Sequence, residues 1–513
     1  MKAQSKPSTI IMNILNWIEK AGNKLPHPAA LFLILFVLVV IASAIAKNAG
    51  LTAIHPIKKE VITTVNLLSI EGLHLLLSGM VKNFSGFAPL GSVLVAMLGF
   101  SLAERSGLIS AVLRILVAKA PKPLIIPVIF LAGILSHTAG DIGYVLLIPL
   151  AGMIFHTLGL HPLAGIAACF AAVSGGFAAN FILSTADPML SGISQEAARI
   201  IDPKYSVSPV SNWYFMASSS ALIIVLGSII TNKITIPFLG KYKGQVKTEK
   251  VGDLNKLEST ALKWAGISGL VLIGILIAGL VPESGFLREK GTGSVLHSPV
   301  VTSVVTVIFF FGAIPGLIFG FVSGKFKTHN DAIHAMQESM VTMAPYLVLV
   351  FFAAQFIAFF NASNIGLVLA VHGSDFLKTL GLGAIPLMIG FIILVCVLDL
   401  FIGSASAKWT LIAPIFVPMF MLLGFSPELT QASYRIGDSV VNIISPLMSY
   451  FPLIVTFMTK YDEKARVGTL LSLMLPYSLF FLLFWSIFLF LWMTFSWQLG
   501  PGAGLWYQVM TNP

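Results

Sequence analysis

What most limits the folds open to this chain is a succession of apolar runs near twenty residues long, divided by short polar segments in which the lysines collect. The first run, Ala29 to Ala46, contains no charged residue. A helix needs about 20 such residues to cross a bilayer, and only helices and closed barrels satisfy their backbone hydrogen bonds in lipid. Continuous runs suit helices, since barrel strands alternate. Composition agrees: of 513 residues 57% are hydrophobic and only 10% charged, with mean hydropathy +0.92, whereas soluble domains carry about 25% charged residues. The chain reads as an all-α polytopic membrane protein. Its net charge of +10 sits mostly in short loops, as orientation by the positive-inside rule produces, so no nucleic-acid partner is expected. Cys169 and Cys396 lie in apolar context and read as free thiols.

Taken in order, residues 1–83 form a cytoplasmic N-terminal segment, a first helix at about 28–47 and an external amphipathic segment. Residues 84–190 hold a helix at about 84–104, an apolar stretch at 122–158 and a helix at about 161–190. The stretch 122–158 is interrupted by Ser136-His137-Thr138-Ala139-Gly140-Asp141. It reads as two spans or as a re-entrant hairpin, and the polar tip favours the hairpin, because irregular backbone at depth survives only where it is buried or lines a cavity. Ser174-Gly175-Gly176 and Asn180 predict unwound backbone in the helix that follows.

Residues 191–340 read as a scaffold or dimerisation unit, with an external loop to 212 and helices at about 213–236, 262–282 and 298–322. Lys241, Lys243, Lys247, Lys250 and Lys256 mark its cytoplasmic loop. Gly312, Gly316 and Gly320 recur every fourth residue, a spacing that lets helices approach closely, within one protomer or between two. Residues 341–458 bring a helix at about 341–361, a second interrupted stretch at 384–424 and a helix at about 428–458. Residues 459–513 hold a last helix at about 470–495 and an external tail. With each interrupted stretch counted as a hairpin there are nine crossings, with the N-terminus inside and the C-terminus outside.

The two interrupted halves match at an offset of 265 residues: Tyr144 with Trp409, Pro149 with Pro414, Gly159 with Gly424, Pro162 with Pro427 and Ser174 with Ser439. The first unit enters from outside and the second from inside, so the repeats are inverted. Inverted repeats with discontinuous helices are the architecture of secondary transporters.

Charged groups within such helices mark function by default. Arg435, Asp438 and Asn442 stand at i, i+3 and i+7 and share one helix face. They read either as an internal ion pair or as a site in which Arg435 meets an anion while Asp438 and Asn442 offer oxygens to Na⁺ or a proton. Asp399 adds an oxygen to that cation site or ends the hairpin. Ser406 and Trp409 can face one side, and a ring beside a buried Arg suits an aromatic acid. Lys408 is left to snorkel or pair. In the first repeat, Asp141 and Asp187 read as helix caps or proton carriers. No P-loop, HExxH or GxSxG motif is present, so an enzyme is not expected and transport would draw on an ion gradient or be passive.

Asn83-Phe84-Ser85-Gly86-Phe87-Ala88-Pro89-Leu90-Gly91, Leu190-Ser191-Gly192-Ile193-Ser194 and Asn212-Trp213-Tyr214-Phe215-Met216-Ala217 resemble the AbgT family of p-aminobenzoyl-glutamate transporters and their drug-efflux relatives. So do Gly403 to Trp409, Ala413 to Met419 and Tyr434 to Asp438, and the resemblance runs nearly end to end. Ser136 to Leu150 look closer to the MtrF-like efflux branch. The resemblance implies a homodimer in the bacterial inner membrane, with nine transmembrane helices and two re-entrant hairpins per protomer. It implies export of p-aminobenzoate-like metabolites and sulfonamide antifolates along a path through Asp187, Ser406, Trp409, Arg435, Asp438 and Pro446. It places Na⁺ on Asp399, Asp438 and Asn442. Where that family pattern often has Asn, this chain has Asp399, which leaves the coupling cation open between Na⁺ and H⁺; no other cofactor is implied. The alternatives are an importer of p-aminobenzoyl-glutamate and an intramembrane hydrolase using Asp187 and Asp438.

Overall fold

The computed structural model describes residues 26–54, 60–118, 120–139, 143–244, 254–295, 298–445 and 447–508. Asp141 and Pro446 therefore lie outside the described residues. Helix α1 (Pro28–Asn48) starts where the His27 ring accepts from the Ala29 amide and Pro28 supplies a preset first residue. A two-stranded antiparallel ribbon follows, β1 (Thr52–Ile54) against β2 (Val61–Thr63), with Ala53 opposite Ile62. Then come α2 (Ile70–Ser85), α3 (Ala88–Arg105), α4 (Leu108–Ala118), α5 (Ile125–Leu135), α6 (Ile148–Thr157) and α7 (Pro162–Phe170). The middle of the chain holds α8 (Ala186–Ala198), α9 (Trp213–Ile230), α10 (Lys256–Leu280), α11 (Val304–Val322) and α12 (His329–Thr342). The rest is α13 (Ala344–Ala362), α14 (Ile365–Thr379), α15 (Ala384–Asp399), α16 (Ala405–Met421), α17 (Pro427–Asn442), α18 (Phe451–Thr459) and α19 (Val467–Thr494).

Seven helical stretches among the described residues are long and apolar enough to cross a bilayer. The apolar helices of the two interrupted stretches are shorter, 10–17 residues. At about 1.5 Å rise per residue these fall short of a ~30 Å hydrocarbon core. The polar interruptions thus break helices where the sequence says they should. Residues 161–190 are broken as well: α7 runs into a π turn at Ala171–Gly175, and irregular backbone continues to Thr185. Gly159 and Gly424, which the 265-residue offset equates, both take left-handed conformations (φ 73° and 89°) in the short turns between the ends of α6 and α16 and the helices that begin at Pro162 and Pro427.

Several boundaries differ from expectation: α4 occupies the expected connection after the helix at 84–104, α14 lies in a stretch given no helix, and the helix expected at about 428–458 is two, α17 ending at Asn442 and α18 starting at Phe451. The external segment carries the β ribbon and α2, which joins α3 as one apolar stretch, Ile70–Arg105. Residues 191–198, expected in a loop, belong to α8, because Pro188 lies in the first turn of a new helix rather than ending an old one. Helix α12 was not foreseen; Thr328 and Asp331 close a capping box at its start.

The four-residue glycine spacing is used inside the protomer. A Cβ on Gly312 would sit 2.7 Å from the Gly99 carbonyl oxygen, and one on Gly316 would sit 2.6 Å from the Leu102 carbonyl carbon. Both distances are closer than any side chain tolerates, so α11 lies directly on the α3 backbone. We expect Gly316→Leu to separate these helices and cut the yield of monodisperse protein severalfold in size-exclusion chromatography, whereas Gly274→Leu, on α10 with open space around it, leaves the yield unchanged.

The centre of the molecule is α17. All sixteen of its residues are buried, Glu428, Gln431, Arg435, Asp438 and Asn442 included. Its entrance is held by the chain that follows α19. The Ser426 amide donates to the Leu505 carbonyl (2.9 Å), the Tyr507 amide to Gly424 (2.8 Å) and the Ser426 hydroxyl to Gly504 (2.8 Å).

Candidate functional site

A helix buried on every side that carries an Arg, an Asp and an Asn must find partners for them, and α17 finds them in two directions. Toward the first repeat, Arg435 Nη2 donates to Asp187 Oδ1 in an ion pair sealed from solvent. The other oxygen of Asp187 accepts from the Ser184 amide (2.6 Å) and hydroxyl (2.9 Å), and the Asn180 amide group donates to that hydroxyl (3.2 Å). The unwound stretch before α8 thus exists to present Asp187. It also reaches α17 directly, through the Ala178 amide donating to Ser439 Oγ (3.1 Å). Among the described residues, Arg435 Nε and Nη1 are buried and find no hydrogen-bond partners. Orphaned buried donors are uncommon, and each one calls for an explanation.

Toward its own repeat, Asp438 meets Lys408. Lys408 Nζ lies 2.8 Å from Asp438 Oδ1 and also contacts Asp399 Oδ1. Asp399 is the last residue of α15 and Lys408 stands in the first turn of α16, so the ion pair bridges the break between them. The Tyr434 hydroxyl donates to the Ala405 carbonyl (2.6 Å) and to Asp438 Oδ1 (3.2 Å). Two close approaches hold this arrangement. A Cβ on Gly437 would stand 2.8 Å from the Ile392 carbonyl oxygen, and one on Gly403 2.8 Å from that of Leu447. The second brings the break after α15 against the break after α17, where Ser445 Oγ also donates to the Asp399 carbonyl (3.3 Å).

Trp409 is fully buried and lies against Tyr434, with ring centroids 4.4 Å apart. Its Nε1 donates to Ser194 Oγ (3.0 Å) and the Leu190 carbonyl (3.2 Å), and the Ser194 hydroxyl donates to Gln431 Oε1 (2.6 Å). Its repeat mate Tyr144 stacks on Tyr450 at the same 4.4 Å separation. Outside the spans, Tyr205 donates to Glu428 (2.9 Å), and burial followed by the Glu428 charge pushes its phenol far above the usual range, so it stays a donor.

Arg435 and Asp438 therefore do not pair with each other, as one sequence reading had it; each has its own opposite charge. Asp187, Arg435, Asp438, Asp399 and Trp409 converge around α17. Ser406 is half-buried beside Ser404 (3.2 Å), and Asn442 is buried at the end of α17. The residue whose role was left open, Lys408, turns out to link two of the candidate cation ligands. Its one sequence signal is a lysine beside Trp in a run otherwise free of charge.

Short apolar half-helices meeting around a charged, fully buried helix suit a polytopic membrane transporter. The family is shown by comparison: residues 13–507 match the model of the AbgT transporter family, and the chain belongs to it. It is 39% identical over 489 residues to the p-aminobenzoyl-glutamate transport protein of Escherichia coli K12, covering 95% of this chain and 96% of that protein. The crystal structure of the Alcanivorax borkumensis YdaH transporter matches with a TM-score of 0.89 at 44% identity, over 93% of this chain and 100% of that one. Neisseria gonorrhoeae MtrF, described as illuminating a class of antimetabolite efflux pumps, matches with a TM-score of 0.89 at 48% identity, over 93% and 97%. The family and these relatives are transporters, which removes the hydrolase reading. Asp187 and Asp438 also each engage a different cation instead of facing one another.

Proposed function

We propose that the protein is an ion-gradient-driven secondary transporter of small aromatic acids, exporting p-aminobenzoate-like metabolites and sulfonamide antifolates. The observation that carries this reading is Arg435, whose Nε and Nη1 are buried and unpaired. A carboxylate or sulfonyl group accepts from such a planar fork, and Tyr434, its neighbour on α17, with the Trp409 ring of α16 packed on it, suits an aryl body. Asp187, Ser406, Trp409, Arg435, Asp438 and Pro446 form the path in this reading, and Asp399, Asp438 and Asn442 the cation site. Three carboxylates, Asp187, Asp399 and Asp438, face two cations, Lys408 and Arg435. One further monovalent cation, H⁺ or Na⁺, brings this buried group to neutrality, which is the physical basis for coupling. Uptake of p-aminobenzoyl-glutamate is the second reading, favoured by the 39% identical relative.

The same reading takes residues 84–190 and 341–458 as inverted repeats around the hairpins 122–158 and 384–424. It takes 1–83 as the N-terminal unit, 191–340 as scaffold and 459–513 as the last helix with its tail. It makes nine crossings with the N-terminus cytoplasmic and the C-terminus periplasmic, in a homodimer of the bacterial inner membrane. The dimer face lies away from Gly312 and Gly316, which α3 already covers. Purified protein in liposomes tests the function. Flux of intact radiolabelled p-aminobenzoate under an imposed H⁺ or Na⁺ gradient, collapsing with the gradient, is the expected result. Retention of label under every gradient and both orientations would remove the reading.

A further inference from the structure

We propose that Asn180 reads the amino end of the substrate: its buried side-chain carbonyl accepts from a neutral arylamine para to the carboxylate or sulfonyl group that Arg435 takes. The inference rests on the reading of the protein as a transporter of small aromatic acids, and names the residue that chooses among them. Asn180 is 4% exposed, and among the described residues its Oδ1 finds no donor. The neighbours of Asn180 fix which way its amide faces. Asp187, paired with Arg435 through one oxygen, takes the Ser184 hydroxyl proton on the other (2.9 Å), so the Ser184 oxygen is left to accept. Asn180 must then turn its amide NH₂ to Ser184 (3.2 Å), which leaves the carbonyl oxygen as the open end.

The network from Arg435 through Asp187 and Ser184 to Asn180 therefore has a direction. Among the described residues, it begins in two buried donors without an acceptor, Arg435 Nε and Nη1, and ends in a buried acceptor without a donor. A ligand that satisfies both ends carries an acceptor at one end and a donor at the other. p-Aminobenzoate has that pattern on a rigid ring. Sulfonamide antifolates share the amine and exchange the carboxylate for a sulfonyl group, and p-aminobenzoyl-glutamate keeps the same amine, so one acceptor serves either direction of transport. The unwound backbone around Asn180 is held on both sides. The Ala178 amide donates to Ser439 Oγ (3.1 Å), and Trp213 Nε1 donates to the Phe181 carbonyl (2.8 Å). The acceptor is thus in place before a ligand arrives, which spares the cost of ordering it. A site built to hydrogen-bond an N–H rejects the analogue that lacks it, because the buried polar group is then left unpaired.

The test compares two ligands of nearly the same shape, p-aminobenzoate and p-toluate, in which a methyl group takes the place of the amine. Binding of each to the full-length protein in detergent is measured by isothermal titration calorimetry, and flux of each in liposomes is followed alongside. Wild type is expected to bind p-aminobenzoate about tenfold or more tightly than p-toluate. Asn180→Leu keeps the branched outline of the side chain and removes its oxygen. It is expected to bring the two affinities within about twofold of each other, by weakening p-aminobenzoate. The ratio separates this role from a structural one, since damage to the site weakens both ligands alike. Equal affinities in wild type overturn the inference and leave the transporter reading standing, and that outcome does not depend on any variant folding. A folded Asn180→Leu protein that keeps the full preference for the amine overturns it as well. A wild-type protein that neither binds nor moves either acid removes the transporter reading and the inference with it.

Discussion

Arg435→Ala is expected to abolish aromatic-acid binding and to lower thermal stability sharply, because it removes an anion clamp and strands Asp187 at once. Breaking a buried ion pair by deleting one partner typically costs about 3–5 kcal/mol, since the remaining charge stays desolvated. The two losses can be separated. Asp187→Leu/Arg435→Met replaces both charges with apolar groups, a change that is often neutral or stabilising by about 1–4 kcal/mol. The double variant should regain most of the wild-type melting temperature while remaining unable to bind p-aminobenzoate by isothermal titration calorimetry. Recovery of binding along with stability would mean that Arg435 serves the fold and not the substrate.

Trp409→Ala should be nearly as damaging for a different reason. Helices in lipid gain little from burying apolar area, so their cohesion rests on packing and on the few polar contacts between them. Trp409 is fully buried and ties α16 to α8 through the Leu190 carbonyl and Ser194. Truncating a Trp in a packed interior costs about 3–5 kcal/mol, through the cavity it leaves. Trp409→Phe keeps most of the volume and loses only the indole donor, worth about 1–3 kcal/mol when the acceptors are left buried. The expected order of detergent melting temperatures is wild type, Trp409→Phe, Trp409→Ala, with a gap at each step. Equal values for Trp409→Ala and wild type would place the ring outside the packed interior.

The sequence announces its membrane helices and its breaks through different physics than it hides its contacts. A run such as Ala29 to Ala46 has one reading in water or lipid, and the polar interruption at 136–141 or 403–409 cannot sit unbroken at depth. The pairing of Gly159 with Gly424 was legible because a left-handed residue just past the end of a helix, here α6 and α16, leaves few choices but glycine. Arg435, Asp438 and Asn442 were legible as one face because helical spacing is local. Their partners were not. Asp187 is 248 residues from Arg435, and nothing local distinguishes a carboxylate that caps a helix from one that also holds a distant guanidinium. Lys408 was ambiguous because a lysine near a helix start can equally snorkel outward, and only the fold of α15 against α17 encloses it. Helix α12 was missed since its polar sequence gives no apolar period to follow.

The clasp between residues 504–507 and the stretch Gly424–Ser426 has a bearing on biogenesis. During insertion, α17 leaves the ribosome well before the segment after α19 that pins its start. Until that segment arrives, a helix carrying eight polar or charged buried side chains lacks part of what holds its start. A chain stopped just after α19 would carry every charged residue of the site and still lack these three bonds at the start of α17.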